Sequence, residues 1–291
     1  MEDINWELYW ELVTMSSMLN WWPKIKDLDI PKPKTEILEL NTEELIQLAG
    51  YKKRKEETAE KVLKSARKIG FPLFMRTDQY SAKHHYKNTC YVPREDVLFQ
   101  HIEALLQESD DVNMVGLPTK ALVFREFIEL NYGFKAFHGL PIAKERRYLI
   151  RDGEVIRHFP YWPEDAIRFW SVKEPENWRE ILKKLNIESA EEVKLLTSYA
   201  EKVAKAIDGF WSVDFAQAKN GTWYLIDMGR GEISWTPEVA IERMKRREEY
   251  QKRVAELLKS LKEDRKKIEE EKKKEEKELK EFLGLVEGDE K

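Results

Sequence analysis

Five cations fall within twelve residues of one apolar run: Arg76, Lys83, His84, His85 and Lys87 in "FPLFMRTDQYSAKHHYK". Arg76 ends the run and the others follow in a polar loop. More charges stand where packing gives no reason for them. Glu126 and Glu129 punctuate "FREFIEL", and Glu145 and Arg147 open the next apolar segment. Asp214 lies inside "FWSVDFAQA", while Asp227 ends "WYLID" with Glu232 five residues later. Charged residues are rarely buried without partners, so this concentration at strand ends implies a shared polar cleft. The two signs suit complementary tasks. Arg76, Lys83, Lys87 and Arg147 can neutralise a triphosphate, arginine by bidentate contacts and lysine as a mobile point charge. Asp214, Asp227 and Glu232 offer the hard oxygens that Mg²⁺ prefers beside phosphate oxygens. Neither nucleotide-binding glycine pattern, GxxxxGK[ST] or GxGxxG, occurs, so a nucleotide site here needs another architecture.

Each residue also has a plainer reading. Arg76, Glu145 and Arg147 form an equally good partly buried ion-pair network, and Lys83 and Lys87 taken singly are surface lysines. Asp214 and Asp227 are harder to place without a metal. Adjacent His84 and His85 make poor chelators in a chain with only five His, so loop polarity or phosphate contact accounts for them. Cys90 lacks a His-bearing constellation and reads as a small filler. "RDGEVIR" is superficially like the Lys-x-Asp-Gly motif of nucleotidyl-transferring ligases, but Ile150 stands where the nucleophilic Lys is required.

These side chains need elements to hold them. Residues 2–20 read as one aromatic-rich amphipathic helix burying Trp6, Trp10, Leu12 and Met15, ended by Trp21-Trp22-Pro23. A Pro-bearing connector enters a strand near 35–40. Asn41 or Thr42 then caps a short helix stopped by Gly50, and a stronger helix closes at Gly70 in the αL conformation. "FPLFMRT" is a short strand, 93–108 a helix, and 121–130 a buried strand or strand-to-hinge passage. "RRYLIRDGEVIRHF" is a hairpin on the type I′ pair Asp152-Gly153. Helices follow near 175–185 and from Ser189 to about 207, then a second hairpin turning at Asn220-Gly221. Beyond Pro237 the chain reads as one long charged helix with a narrow stripe at Val254, Leu257, Leu258 and Leu261. Lacking a sustained heptad, it is either a solvated helix or an arm for a protein contact or dimer.

The 291 residues are 36% charged, yet include 10 Trp, 11 Tyr and 12 Phe, which fits a folded aromatic core under a charged exterior. A net charge of -4 gives no reason to expect nucleic acid or an anionic membrane as partner. One cysteine, no signal-peptide pattern, and no apolar run near the roughly 18 residues of a membrane span point to the cytoplasm.

The order of these pieces resembles the ATP-grasp fold, and more narrowly the divergent clade containing the eukaryotic cell-division-cycle protein 123 family. The matching pieces are "PKPKTEI", "FPLFMRTDQYSAKHHYK", "LVFREFIEL", "ERRYLI", "WSVDFAQ" and "WYLIDMG", across roughly 21–236. The resemblance implies an α+β fold of two subdomains clasping ATP, 70–127 carrying the phosphate loop and 128–236 the metal-binding strands. A helical and strand region at 1–69 would precede them, and the charged helix at 237–291 would follow. By the same resemblance, Arg76 takes the place of a phosphate-binding lysine, and the loop 78–87 covers the phosphates with Lys83 or Lys87. The segment Arg125, Glu126, Phe127, Ile128, Glu129 and Leu130 would be a hinge whose backbone reads adenine, Glu129 reaching ribose. Glu145 and Arg147 would sit beside the triphosphate, and Asp214 and Asp227 would hold Mg²⁺. Gly229 stands where many ATP-grasp ligases carry Asn, so Glu232 or water would complete the coordination. The implied activity is an ATP- and Mg²⁺-dependent ligation of a carboxylate, through an acylphosphate, to an amine, on unknown substrates that include peptides or proteins. The resemblance equally allows an ATP-binding assembly factor for a protein partner. A third reading, an RNA-directed ligase, runs against the net charge.

Overall fold

The computed structural model describes residues 6–112, 119–170 and 174–282. In chain order the elements are α1 (Trp6–Met15), α2 (Met18–Ile25), β1 (Thr35–Glu39), α3 (Thr42–Leu48), α4 (Glu56–Ile69), β2 (Leu73–Thr77), β3 (Tyr91–Val92), α5 (Leu98–Val112), β4 (Ala121–Glu126), β5 (Tyr132–Ala136), β6 (Leu140–Ala143), β7 (Glu145–Arg151), β8 (Glu154–Pro160), α6 (Glu164–Trp170), α7 (Trp178–Leu185), α8 (Ala190–Ala204), β9 (Phe210–Gln217), β10 (Trp223–Arg230) and α9 (Pro237–Phe282).

The N-terminal helix expected over 2–20 is two helices, and Pro23 does not end the second. Ser17 caps α2, its hydroxyl oxygen accepting from Leu19 N at 3.2 Å, and donates to Asp78 at 2.6 Å. Complete burial of Met18, Trp21 and Ile25 outweighs the single backbone bond lost at Pro23. Met15 is exposed rather than buried, and the Trp6 side chain lies outside the described residues. Local signals elsewhere hold. Asn41 makes a capping box with Glu44, and Ser189 caps α8. Asp152 and Gly153 both take positive φ, 48° and 92°, as a type I′ turn requires. Gly70 has φ 88° but ψ 173°, a glycine-only extended region instead of αL.

Two four-stranded sheets frame the molecule between Met1 and Ser234, the first compact unit. The first has the order β1-β4-β2-β3, so the strand near residue 35 shares a sheet with the strands after residue 70. One of its faces packs Leu73, Met75, Leu122 and Phe124 against Val62, Ala66, Leu98, Ile102 and Leu105 of α4 and α5. The second sheet has the order β10-β9-β7-β8 and packs Tyr148, Ile150, Val213 and Phe215 against Leu196, Ala200 and Val203 of α8. Trp21 and Val123 join this second core, which therefore reaches from one sheet to the other. The β5–β6 hairpin, α6 and α7 gather around a third cluster containing Phe134, Phe137, Trp162 and Trp178. In these α+β layers, strand alternation leaves one polar-bearing face on each sheet.

The second compact unit, Trp235–Lys291, contains α9, one continuous helix of 46 residues. Leu257, Leu258 and Leu261 of its expected apolar stripe have side chains outside the described set. Among the described residues, no helix is long and apolar enough to cross a membrane.

Candidate functional site

The polar-bearing faces meet at a cleft of about 830 Å³, counting its open mouth. Its walls come from β2 (Phe74, Arg76), β4 (Arg125, Glu126), β7 (Glu145), β9 (Asp214) and β10 (Ile226, Asp227), closed at one side by Lys83 and Tyr161. The charges are set by register. Asp214 pairs with Arg147 on β7 and with Asp227 on β10, so three charged residues form a row across three strands. Arg147 grips Asp214 by both oxygens, Nε to Oδ1 and Nη2 to Oδ2 at 2.7 Å each. Arg76 reaches across from the first sheet to Asp227 Oδ1 at 2.6 Å. Two carboxylates directly opposite repel, and these arginines offset the repulsion.

A bulge shapes the far wall. Pairing skips Ile226 between Leu225 and Asp227, so consecutive residues Ile226 and Asp227 both line the cleft, where a regular pleat would separate them. The Ile226 carbonyl thereby accepts from Arg125 Nη1. Arg125 also donates from Nε to Thr35 Oγ1 at 3.3 Å and faces the Trp22 ring at 5.9 Å. Its Nη2 is buried with no hydrogen-bond partner. Burial, reinforced by Arg76 and opposed by Asp227, pushes the Arg125 guanidinium down to about 10. At Asp227, burial favours the neutral acid, but Arg76, Arg125 and Lys83 outweigh it and hold the carboxyl below its usual range.

Lys83 enters from the loop after β2. Its Nζ donates to Tyr161 Oη at 2.7 Å and lies 4.4 Å from that ring. Burial alone would lower the Lys83 ammonium, yet Tyr161, Glu145 and Asp214 raise it. Burial pushes the Glu145 carboxyl up to about 7, against the pull of Lys83, the Trp162 indole and Arg147. Glu126 is exposed at the mouth, where its carboxylate accepts from Lys34 N at 3.2 Å.

Of the residues expected from the sequence, Arg76, Lys83, Arg125, Glu126, Phe127, Ile128, Glu145, Asp214 and Asp227 line this cleft, and Arg147 joins it through Asp214. Three do not. Lys87 and Glu129 line an adjoining groove instead, and Glu129 is exposed and paired with Lys219 at 2.7 Å. Glu232 is held by Arg230 at 2.5 and 3.1 Å. Among the described residues no three His, Cys, Asp or Glu side chains are grouped to hold a metal, so Asp214, Asp227 and Glu232 are not one ligand set. Asp214 and Asp227 alone still fit Mg²⁺, which uses one or two carboxylates with phosphate oxygens and water. The loop's histidines are engaged elsewhere: His84 stacks on Phe137 at 4.7 Å, and His85 pairs with Glu108 at 2.6 Å. Asp78 is a buried anchor, bonded to Ser17 and to the backbone of Lys120 and Ala121. Buried Cys90 is a filler, its thiol pushed up to about 12 by burial.

Sequence reasoning passed over Phe74, Tyr86, Tyr161 and Trp162, which supply the aromatic walls. Aromatic residues beside strands read first as core. The one available signal was Tyr161-Trp162 directly after a hairpin strand.

Comparison with known proteins agrees with this architecture. A family described as an ATP-grasp domain, the third family of its clade, matches residues 66–250. Among solved structures, C-terminally truncated Cdc123 from Schizosaccharomyces pombe has TM-score 0.51 at 12% identity, covering 76% of this chain and 85% of that one. Cdc123 from the same organism has TM-score 0.49 at 13% identity, over the same shares. D-alanine–D-alanine ligase from Bacillus anthracis, complexed with ATP, has TM-score 0.40 at 16% identity, over 80% and 61%. No curated protein sequence matches. Because the family match spans more than half of the chain and contains every charged residue that lines the cleft, the chain belongs to this family of ATP-grasp domains.

Proposed function

We propose that the chain binds ATP in this cleft and uses it to ligate a carboxylate, through an acylphosphate, to an amine. Arg125 carries the reading. It is 3% exposed, leaves Nη2 without a partner, and lies near a second guanidinium, Arg76. With Lys83 and Arg147, four cations face the three inward carboxylates Glu145, Asp214 and Asp227, and Glu145 is half neutral near pH 7. A buried cation with unused bonding capacity costs stability unless an anion completes it. A polyphosphate does so, and the apolar side formed by Phe74, Tyr86, Phe127, Ile128 and Leu140 suits a flat base.

Arg76, Arg125 and Lys83 would take phosphate oxygens and stabilise charge on the transferred group in a partly water-free site. Asp214 and Asp227 are the carboxylates available to Mg²⁺, each oxygen keeping a second lone pair beside its arginine. Mg²⁺, when bound, would bridge phosphate oxygens and neutralise their charge. Neither the carboxylate nor the amine substrate is specified by these residues; peptides and proteins fall within the proposal.

A second reading is an ATP-binding assembly factor that does not turn ATP over. The arginine grip on both metal-competent carboxylates favours it, because coordination has to compete with two short ion pairs. Incubation with labelled Mg-ATP, pooled amino acids and peptides separates the two. ADP formed only with a carboxylate present supports ligation, and binding without product supports the assembly factor. AMP as product contradicts acylphosphate chemistry, and absence of binding contradicts both readings.

A further inference from the structure

Three of the four cleft cations sit on strands, whereas Lys83 comes from a loop, where backbone and rotamer freedom would blur its position. Two features fix it. Ala82 takes the left-handed conformation, φ 47° and ψ 33°, that turns the following side chain inward. That geometry costs an alanine about 1–2 kcal/mol. Ala82 is fully buried, and its carbonyl is pinned by Thr89 Oγ1 at 2.8 Å and His85 N at 3.1 Å.

Tyr161 is the second feature. One ring meets two cations from separate parts of the chain: Lys83 at 4.4 Å and Arg147 at 4.7 Å. Tyr161 is itself held, its N–H donating to the Glu145 carbonyl at 3.0 Å and its ring edge-on to Trp162 at 5.0 Å. The bond to Lys83 differs in kind from its neighbours. Arg76 and Arg147 are tied to carboxylates, whereas Lys83 donates to a neutral hydroxyl. A phosphate oxygen is the stronger acceptor, so Lys83 can be handed over at little cost, while the ring keeps it close beforehand.

We propose that Tyr161 is a positioning residue for the phosphate end of the cleft: its hydroxyl and ring hold Lys83 ready, and its ring backs Arg147. The inference rests on the ATP reading. Tyr161→Phe keeps the ring and removes the acceptor. Titration of Mg-ATP and of AMP into wild type, Y161F, K83M and the double variant, with urea stability measured in parallel, tests it. Y161F is expected to weaken ATP about three- to ten-fold, the worth of one hydrogen bond, while AMP binding and stability barely move. In the K83M background, Y161F should add nothing. The inference is overturned if Y161F binds ATP like wild type, if ATP and AMP weaken equally, or if the two substitutions add. Failure of wild type to bind ATP overturns the ATP reading, and this inference with it.

Discussion

Arg146 and Arg147 are neighbours on one strand, both buried, and they meet opposite surroundings. Arg146 has no exposure and is closed in by the protein's own groups. Nε reaches Glu192 at 2.5 Å and Glu188 at 3.4 Å, and Nη1 reaches the Glu145 carbonyl at 3.0 Å. Nη2 takes the carbonyls of Leu185 and Ile187 at 3.0 and 2.9 Å, so Arg146 also caps the end of α7. One pleat away, Arg147 belongs to the face that lines the cleft, where the neighbouring cation Arg125 keeps an Nη2 without a partner. Buried charge alone therefore marks folding as readily as function. What distinguishes the cleft is bonding capacity left over, around a concavity fed by several elements.

The comparison breaks first, and most heavily, at Arg146. Arg146→Leu strands Glu192 and should cost about 3–5 kcal/mol in urea unfolding, with most of it restored by adding Glu192→Leu. A loss under about 1 kcal/mol would erase the distinction between the two faces. The next effect is on pH. The Glu145 carboxyl titrates near 7 in the fold against a usual value of 4.5, so the folded state holds the extra proton between those limits. Stability from this group is full below the lower limit and is lost as pH rises through about 7, by at most about 1.4 kcal/mol per pH unit. Glu145→Gln should remove that slope from the difference between the two unfolding curves; an unchanged slope would contradict the assignment. The smallest effect belongs to the pair outside the cleft. Glu129→Gln breaks an exposed contact to Lys219 and should shift stability by less than about 0.5 kcal/mol, leaving ATP affinity unchanged.

Much of this arrangement was legible in local pattern. Alternation along β7 puts Glu145 and Arg147 on one face, Asp214 interrupts an otherwise apolar strand, and Asp-Gly and Asn-Gly announce both hairpin turns. What escaped depends on contacts distant in sequence. The break at Ser16-Ser17 is stabilised by Asp78, sixty-one positions away, which no helical periodicity can report. The choice of Lys83 over Lys87 follows from the turn at Ala82, a residue whose type does not favour the conformation it adopts. The bulge at Ile226 redirects one residue of β10, and pattern alone assigns it to the opposite face. Glu232 looked like a ligand by proximity to Asp227, but Arg230 beside it had an equal claim.

The central claim is that Arg125 is held for an anionic ligand instead of for the fold. Isothermal titration of Mg-ATP and AMP into wild type and Arg125→Met, alongside urea unfolding of both, tests it most directly. Wild type should bind ATP at least about ten-fold tighter than AMP, and Arg125→Met should lose that preference while its stability stays within about 1.5 kcal/mol. A variant that unfolds like Arg146→Leu while any surviving fold binds ATP normally would contradict the account.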